Sequence, residues 1–193
     1  MRAMLVPLLM LLAGCPPKTP IDNTVEVKAD PYPALLCPEG TEKKGAAPPD
    51  GYKVWCMRFL PTGSWINDGG HVTFYDSGEV KEKGEYRSGS KEGTWELMYE
   101  TGETQREEIF VDNKSNGTST EYHPNGNKKS EGEKVNGRES GGWTYWHDNG
   151  TKKKEGVWKD GEPDGEWLEY DAEGNKTQIR QYKFGRLLTH KEL

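Results

Sequence analysis

The sequence predicts an all-β chain built as five tandem β-hairpin repeats of 24 residues each, and three observations carry that prediction. Apolar material is scarce: 32% of the 193 residues are hydrophobic and 30% are charged, too little to fill a core of ordinary size. Aromatic and turn-forming residues abound, with seven Trp and nine Tyr beside 24 Gly and 12 Pro, the composition of short strands separated by tight turns. Glycine also recurs on a fixed period. Gly69, Gly93, Gly117, Gly141 and Gly165 form one ladder, and Gly78, Gly102, Gly126, Gly150 and Gly174 form a second, with no insertion across five copies.

The elements follow from the N-terminus. Arg2 precedes an apolar run from Leu5 to Leu12 that is too short to span a bilayer and has the layout of an export signal. The next tetrapeptide, Leu12-Ala13-Gly14-Cys15, resembles the bacterial lipobox. That resemblance implies removal of residues 1–14 as a signal peptide and lipidation of Cys15, whose acyl chains would hold the protein at a membrane. An ordinary signal peptide followed by an incidental cysteine is the competing reading. Pro16, in place of Asp, points by analogy with the enterobacterial sorting rule to the outer membrane over the inner, with either leaflet open. Residues 15–36 carry five Pro and little periodicity, and read as a semi-extended tether.

Residues 37–62 read as a small Gly/Pro-rich module. An exported protein with two further cysteines so close together most simply pairs them, so a Cys37–Cys56 disulfide is expected. Closing a loop of this length is worth ~3 kcal/mol in the chain-entropy model. A Cys/His zinc site is the rival, but it needs four ligands and no His lies nearby. No other metal site and no cofactor is expected.

Residues 63–187 hold the five repeats. A third ladder, Gly89, Asn113, Gly137, Gly161 and Gly185, admits Asn, which tolerates the left-handed region. A fourth, Gly84, Gly132 and Gly156, lapses to Glu108 and Arg180. Aromatic segments such as Trp95-Glu96-Leu97-Met98-Tyr99 run between the glycines, and Tyr86, Phe110, Lys134, Trp158 and Tyr182 recur in the second strand. Each repeat is therefore strand, turn, strand, turn. Counting from the turns places Tyr86 opposite Trp95, Lys134 opposite Trp143, Trp158 opposite Trp167, and Trp143 over Gly156. Repeat three is the weak copy, with Ser119 for Trp and Lys134 for an aromatic, and a local opening is expected there. Leu187 and Leu188 would cap the last strand, with residues 188–193 a tail.

The frame Gly-x-Trp-x-x-Tyr…Gly…Glu-Gly-x-Tyr/Trp-x-x-Gly, clearest from Gly141 to Gly165, resembles MORN-type repeats in their bacterial 24-residue variant, which carries a toxin–antitoxin antitoxin label. The resemblance spans about Gly69 to Gly185 and implies one elongated, single-layer antiparallel sheet. The antitoxin label fits poorly with a leader that sends the chain outward.

Catalysis is not expected. His123 and His147 share a repeat position, but equivalent positions in consecutive hairpins lie roughly 9.5 Å apart, too far for two ligands of one metal, so both read as exposed turn-flanking imidazoles. Glu107, Glu131 and Glu155 recur every 24 residues, whereas an active site occurs once; with Lys129, Lys153 and Lys154 they read as a solvated face of weak ion pairs. The net charge of −6, with Lys and Glu intermixed, argues against nucleic acid. The expected function is a monomeric, lipid-anchored scaffold for protein–protein interaction at the cell envelope. The alternative is a glycan or cell-wall ligand on an aromatic strip of Trp95, Tyr99, Trp143, Trp146, Trp158, Trp167 and Tyr170, with some likeness to choline-binding wall modules. An exposed row of rings would favour the glycan; interdigitated rings would favour the scaffold.

Overall fold

The computed structural model describes residues 35–193, so the leader, Cys15 and all but the last two residues of the proline-rich segment lie outside the described residues. Among the described residues there is no helix. Thirteen strands form one antiparallel sheet whose order is the order of the chain. The first two are β1 (Glu42–Ala46) and β2 (Lys53–Phe59). The repeats supply β3 (Trp65–Phe74), β4 (Val80–Arg87), β5 (Ser90–Met98), β6 (Thr104–Val111), β7 (Lys114–Tyr122) and β8 (Lys128–Val135). They continue as β9 (Arg138–Trp146), β10 (Lys152–Lys159), β11 (Glu162–Tyr170), β12 (Lys176–Lys183) and β13 (Arg186–Glu192). The segment expected as a tail is thus mostly strand: Leu187 and Leu188 lie within β13 and are exposed there rather than covering an edge.

Two kinds of turn alternate along the sheet. In the turns between β4 and β5, β6 and β7, β8 and β9, β10 and β11, and β12 and β13, both central residues have positive φ, as at Asn136 (53°) and Gly137 (82°). That is the type I′ geometry whose twist matches the flanking strands, and it explains why the third ladder accepts only Gly or Asn. The longer turns close on a bond between their ends, as from Tyr99 N to Glu103 O (2.8 Å), with Gly102 at φ 96°. The first glycine ladder has a different task. Register shifts fall beside it, for example between Gly132 and Glu133 opposite Gly141, whose φ of 72° suits a bulge.

Consecutive repeats are clipped together at these turns. The backbone N–H of Gly89, Asn113, Gly137, Gly161 and Gly185 each donates to a carbonyl 22 residues earlier, on Asn67, Lys91, Ser115, Glu139 and Pro163 (2.7–3.2 Å). A hairpin that cannot bury a face alone is therefore held by its neighbour's backbone.

One sheet face gathers the rings. Trp95, Trp143 and Trp167 are only 3–5% exposed, and each indole lies flat over a glycine of the preceding strand. A Cβ added at Gly84, Gly132 or Gly156 would come within 2.2–2.3 Å of indole carbon Cδ2. Each indole N–H then donates to the carbonyl of the residue after that glycine: Glu85, Glu133 and Val157 (3.1–3.2 Å). The fourth ladder is thus a seat for tryptophan, and its lapses coincide with missing tryptophans. Glu108 faces Ser119, and Arg180 faces His190.

Several expected pairings change accordingly. Trp143 does lie opposite Gly156 in register, but the ring over Gly156 is that of Trp167, from the following strand. Tyr86 pairs with Lys91, Lys134 with Glu139, and Trp158 with Pro163, because the bulge displaces the register. The rings nevertheless meet diagonally: Tyr86 and Trp95 pack edge to face at 5.1 Å, and Trp158 and Trp167 at 5.3 Å. Repeat three does not open. Glu108, Ser119 and Lys134 fill the gap with a buried cluster, the Lys134 ammonium 2.6 Å from the Glu108 carboxylate and the Ser119 hydroxyl donating to it at 3.2 Å.

Cys37 and Cys56 are disulfide-bonded, with Cα atoms 5.5 Å apart, and Cys56 is fully buried. The module they staple supplies β1 and β2 to the same sheet. Ala47, Val54, Val72 and Phe74 form a small hydrophobic core there, backed by Leu35 and Val80. Leu35 and Pro38 approach the Gly69-Gly70 backbone so closely that a Cβ at either glycine would collide with them.

Candidate functional site

The residue just after each of β3, β5, β7 and β9 makes an unexpected contact with the next repeat. Tyr75 and Tyr99 donate their hydroxyls to the carbonyls of Met98 (2.7 Å) and Tyr122 (2.8 Å). One repeat on, the same reach is made by imidazoles: His123 Nε2 donates to Trp146 O (3.0 Å) and His147 Nε2 to Tyr170 O (3.1 Å). A carbonyl only accepts, so in the neutral ring Nε2 carries the proton and Nδ1 is left as an acceptor. These histidines are half-buried staples rather than freely exposed imidazoles. Asp171, at the same position in the last copy, bonds instead to Asn175 within its own turn.

The glutamate ladder is likewise engaged elsewhere than expected. Glu131 pairs with Lys128, and Glu155 with Lys152 (2.7 Å), not with Lys129, Lys153 or Lys154. Tyr122 and Tyr170 donate their hydroxyls to Glu107 (3.3 Å) and Glu155 (2.7 Å). The bond to Glu155 pushes the Tyr170 phenol up to about 12, while Lys152 and Tyr170 hold the Glu155 carboxyl below its ordinary value.

The swap from tyrosine to histidine accompanies a cleft of about 470 Å³ flanked by β9 and β11, the fourth and fifth odd strands of the repeats, and by their turns. His123 and His147 stand at its end, Tyr145 forms a wall, and Lys129, Lys153, Lys154 and Glu169 bring charge to it. Lys154 is half-buried, its ammonium 4.3 Å from the Tyr145 ring centre and 5.2 Å from that of Trp167. Desolvation there lowers its pKa. Lys129 pairs with Glu121 (3.2 Å), and Glu169 with Arg180 (2.9 Å). Three lysines thus line the cleft against one glutamate, in a chain whose net charge is −6.

The equivalent groove one repeat earlier is lined by Tyr99, Gln105, Arg106, Glu121, Tyr122 and Lys129, and holds only about 70 Å³. At the position of Arg106 the later one has the short, buried Ser130, which does not reach its lining. The sequence carried this signal only as a departure from the repeat.

The aromatics expected to bind do not form one strip. Trp95, Trp143 and Trp167 are buried against neighbouring rings, and Lys91 covers Trp95 at 3.6 Å. Trp158 donates its indole N–H to the Tyr145 hydroxyl (3.1 Å). Tyr99 is one of the staples, and Trp146 and Tyr170 line the cleft. Among the described residues no three His, Cys, Asp or Glu side chains converge on a metal position, and no helix is long and apolar enough to cross a membrane.

These features define a tandem β-hairpin repeat protein whose copies are held by contacts between successive hairpins. Two segments of the array, residues 115–133 and 163–184, match the model of the MORN repeat variant. No curated protein sequence matches the chain. Among solved structures, the Glycosylation Associate Protein (Gap123) complex from Streptococcus agalactiae is similar at 16% identity and a TM-score of 0.35, over 60% of this chain and 20% of the other. The crystal structure of TarM is similar at 12% identity and a TM-score of 0.27, over 62% of this chain and 20% of the other. The chain spans about a fifth of the length of each.

Proposed function

We propose that the chain is a non-catalytic scaffold for protein–protein interaction at the cell envelope, tethered by a lipid on Cys15, on the outer membrane in preference to the inner. The observation that carries this reading is the fate of the indoles. Trp95, Trp143 and Trp167 are consumed in packing one repeat on the next, which leaves a regular, polar, open sheet rather than a row of exposed rings. Such a sheet suits a broad protein interface better than stacking along a glycan chain. Glu107 and Glu155, on a ladder that three of the five copies share, accept bonds from Tyr122 and Tyr170 and act as architecture, which supports a role without chemistry. An antitoxin must meet its toxin, usually in the cytoplasm, so the export leader speaks against that use of the family label.

Affinity capture of the full-length protein from cross-linked envelope fractions, run beside sedimentation with purified peptidoglycan, tests the reading. A defined partner protein without wall sedimentation is the expected result. Sedimentation with the wall and no protein partner would overturn it. Labelled palmitate should incorporate into the wild-type chain and not into Cys15→Ala; equal incorporation would refute the anchor.

A further inference from the structure

Beyond a scaffolding role, we propose that the cleft between β9 and β11 binds a sugar acid: a saccharide carrying a carboxylate. The case begins with the repeat itself. What recurs in every copy is architecture, but this cleft differs in size from the groove one repeat earlier. The groove displaced by one repeat holds about 70 Å³, against about 470 Å³ here. The larger volume falls within the roughly 300–1,000 Å³ of small-molecule sites, whereas the smaller does not. At matched positions Arg106, which lines the smaller groove, is replaced by Ser130, which does not line the larger, and Tyr99 by His123.

The lining specifies the ligand's chemistry. Lys153 is exposed and has no carboxylate paired to it among the described residues, and Lys154 is held over Tyr145 and Trp167 beside it. Two adjacent ammonium groups in a partly desolvated cleft favour an anion. Glu169 lines the same cleft, so a single carboxylate suits it better than a dianion. Acceptors complement hydroxyl donors: Nδ1 of His123 and His147 remains available once Nε2 has been spent on a backbone carbonyl, and Glu169 adds its carboxylate. An anionic group together with several hydroxyls is a sugar acid, either free or at the end of an acidic polysaccharide.

Titration of the full-length protein with glucuronate, followed by NMR or calorimetry, tests the site, with glucose, acetate and a short glucuronate oligomer as parallel arms. Glucuronate should bind at least about tenfold more tightly than glucose or acetate. Tighter binding of the oligomer assigns the polymer end as the source, and equal binding assigns the free sugar acid. Lys153→Glu, an exposed change, should weaken binding by about tenfold or more. Ser130→Arg restores the residue of the preceding repeat, closing the cleft while adding a positive charge, and should abolish binding. Retained or stronger binding in Ser130→Arg would show mere surface attraction and overturn the proposal. So would equal affinity for acetate, equal affinity for glucose, no binding of glucuronate, or an unchanged affinity in folded Lys153→Glu.

Discussion

Replacing Glu108 by Gly and Ser119 by Trp together should leave the protein about as stable as it is, whereas either change alone should damage it. Glu108 is 7% exposed and 2.6 Å from the Lys134 ammonium, whose side chain is itself 18% exposed. Removing the carboxylate alone strands that ammonium in a low-dielectric setting and leaves the Ser119 hydroxyl without its acceptor. The cost is about 3 kcal/mol, the lower end for a broken buried pair because Lys134 keeps some access to water. Inserting an indole at position 119 alone forces it against Glu108. At the three seated tryptophans even a Cβ on the glycine beneath would lie 2.2–2.3 Å from the ring, so overpacking costs about 1–3 kcal/mol. Made together, the changes recreate the seat found at Gly84, Gly132 and Gly156, with the Lys134 ammonium free to lie near the new ring, which is worth about 0.5–2 kcal/mol. With the double variant near the parent's stability, the favourable coupling equals the sum of the two single costs, about 4–6 kcal/mol. Thermal and urea denaturation of the four proteins, followed by circular dichroism, measures it. Simple additivity, with the double variant the least stable of the four, would refute the seat.

Other outcomes follow from the same packing. Gly132→Ala places a Cβ 2.3 Å from Trp143 Cδ2 and should lower stability by about 1–3 kcal/mol, while Gly142→Ala, with nothing within 4 Å, should change it by less than about 0.5 kcal/mol. His71 is buried between Tyr86 and Trp95, and desolvation, with help from Lys53, lowers its pKa from 6.5 to about 4. The unfolded chain takes up that proton first, so stability is complete above pH 6.5 and falls by roughly 3 kcal/mol as the pH drops toward 4. His71→Leu should flatten that slope in urea titrations at stepped pH, and an unchanged slope would count against the buried neutral imidazole. Cys37→Ser opens a loop with a sequence separation of 19 and should cost about 3 kcal/mol in denaturation under non-reducing conditions.

Periodicity revealed the strands and both turn families, because each depends on residue types at fixed spacing, and the nearness of two cysteines in an exported chain revealed the disulfide. It did not reveal the true cross-strand partners. Gly93, Gly117, Gly141 and Gly165 announced a recurring backbone need, but only their positive φ shows that it is a bulge, and the bulge moves Trp95 from facing Tyr86 to facing Gly84. Register alone placed Trp143 opposite Gly156; the lean of each indole toward the preceding strand is a side-chain choice that spacing does not encode. The ladder of Tyr75, Tyr99, His123 and His147 was hidden because chemically unlike groups perform one task, donating to a carbonyl in the next repeat. The candidate cleft was the least legible of all. It is made by absences, chiefly Ser130 where Arg106 would stand, and a missing side chain signals a cavity only once its neighbours are known.

The repeats hold one another through their backbones, and amide hydrogen exchange at five positions tests this directly. The second residue of an isolated type I′ turn points its N–H into water and exchanges quickly. Here the amides of Gly89, Asn113, Gly137, Gly161 and Gly185 donate to carbonyls one repeat back, at 2.7–3.2 Å. All five should therefore be protected, the interior three at Asn113, Gly137 and Gly161 most strongly. Exchange of these amides at the rate of an unstructured chain, while the strand amides stay protected, would contradict the account.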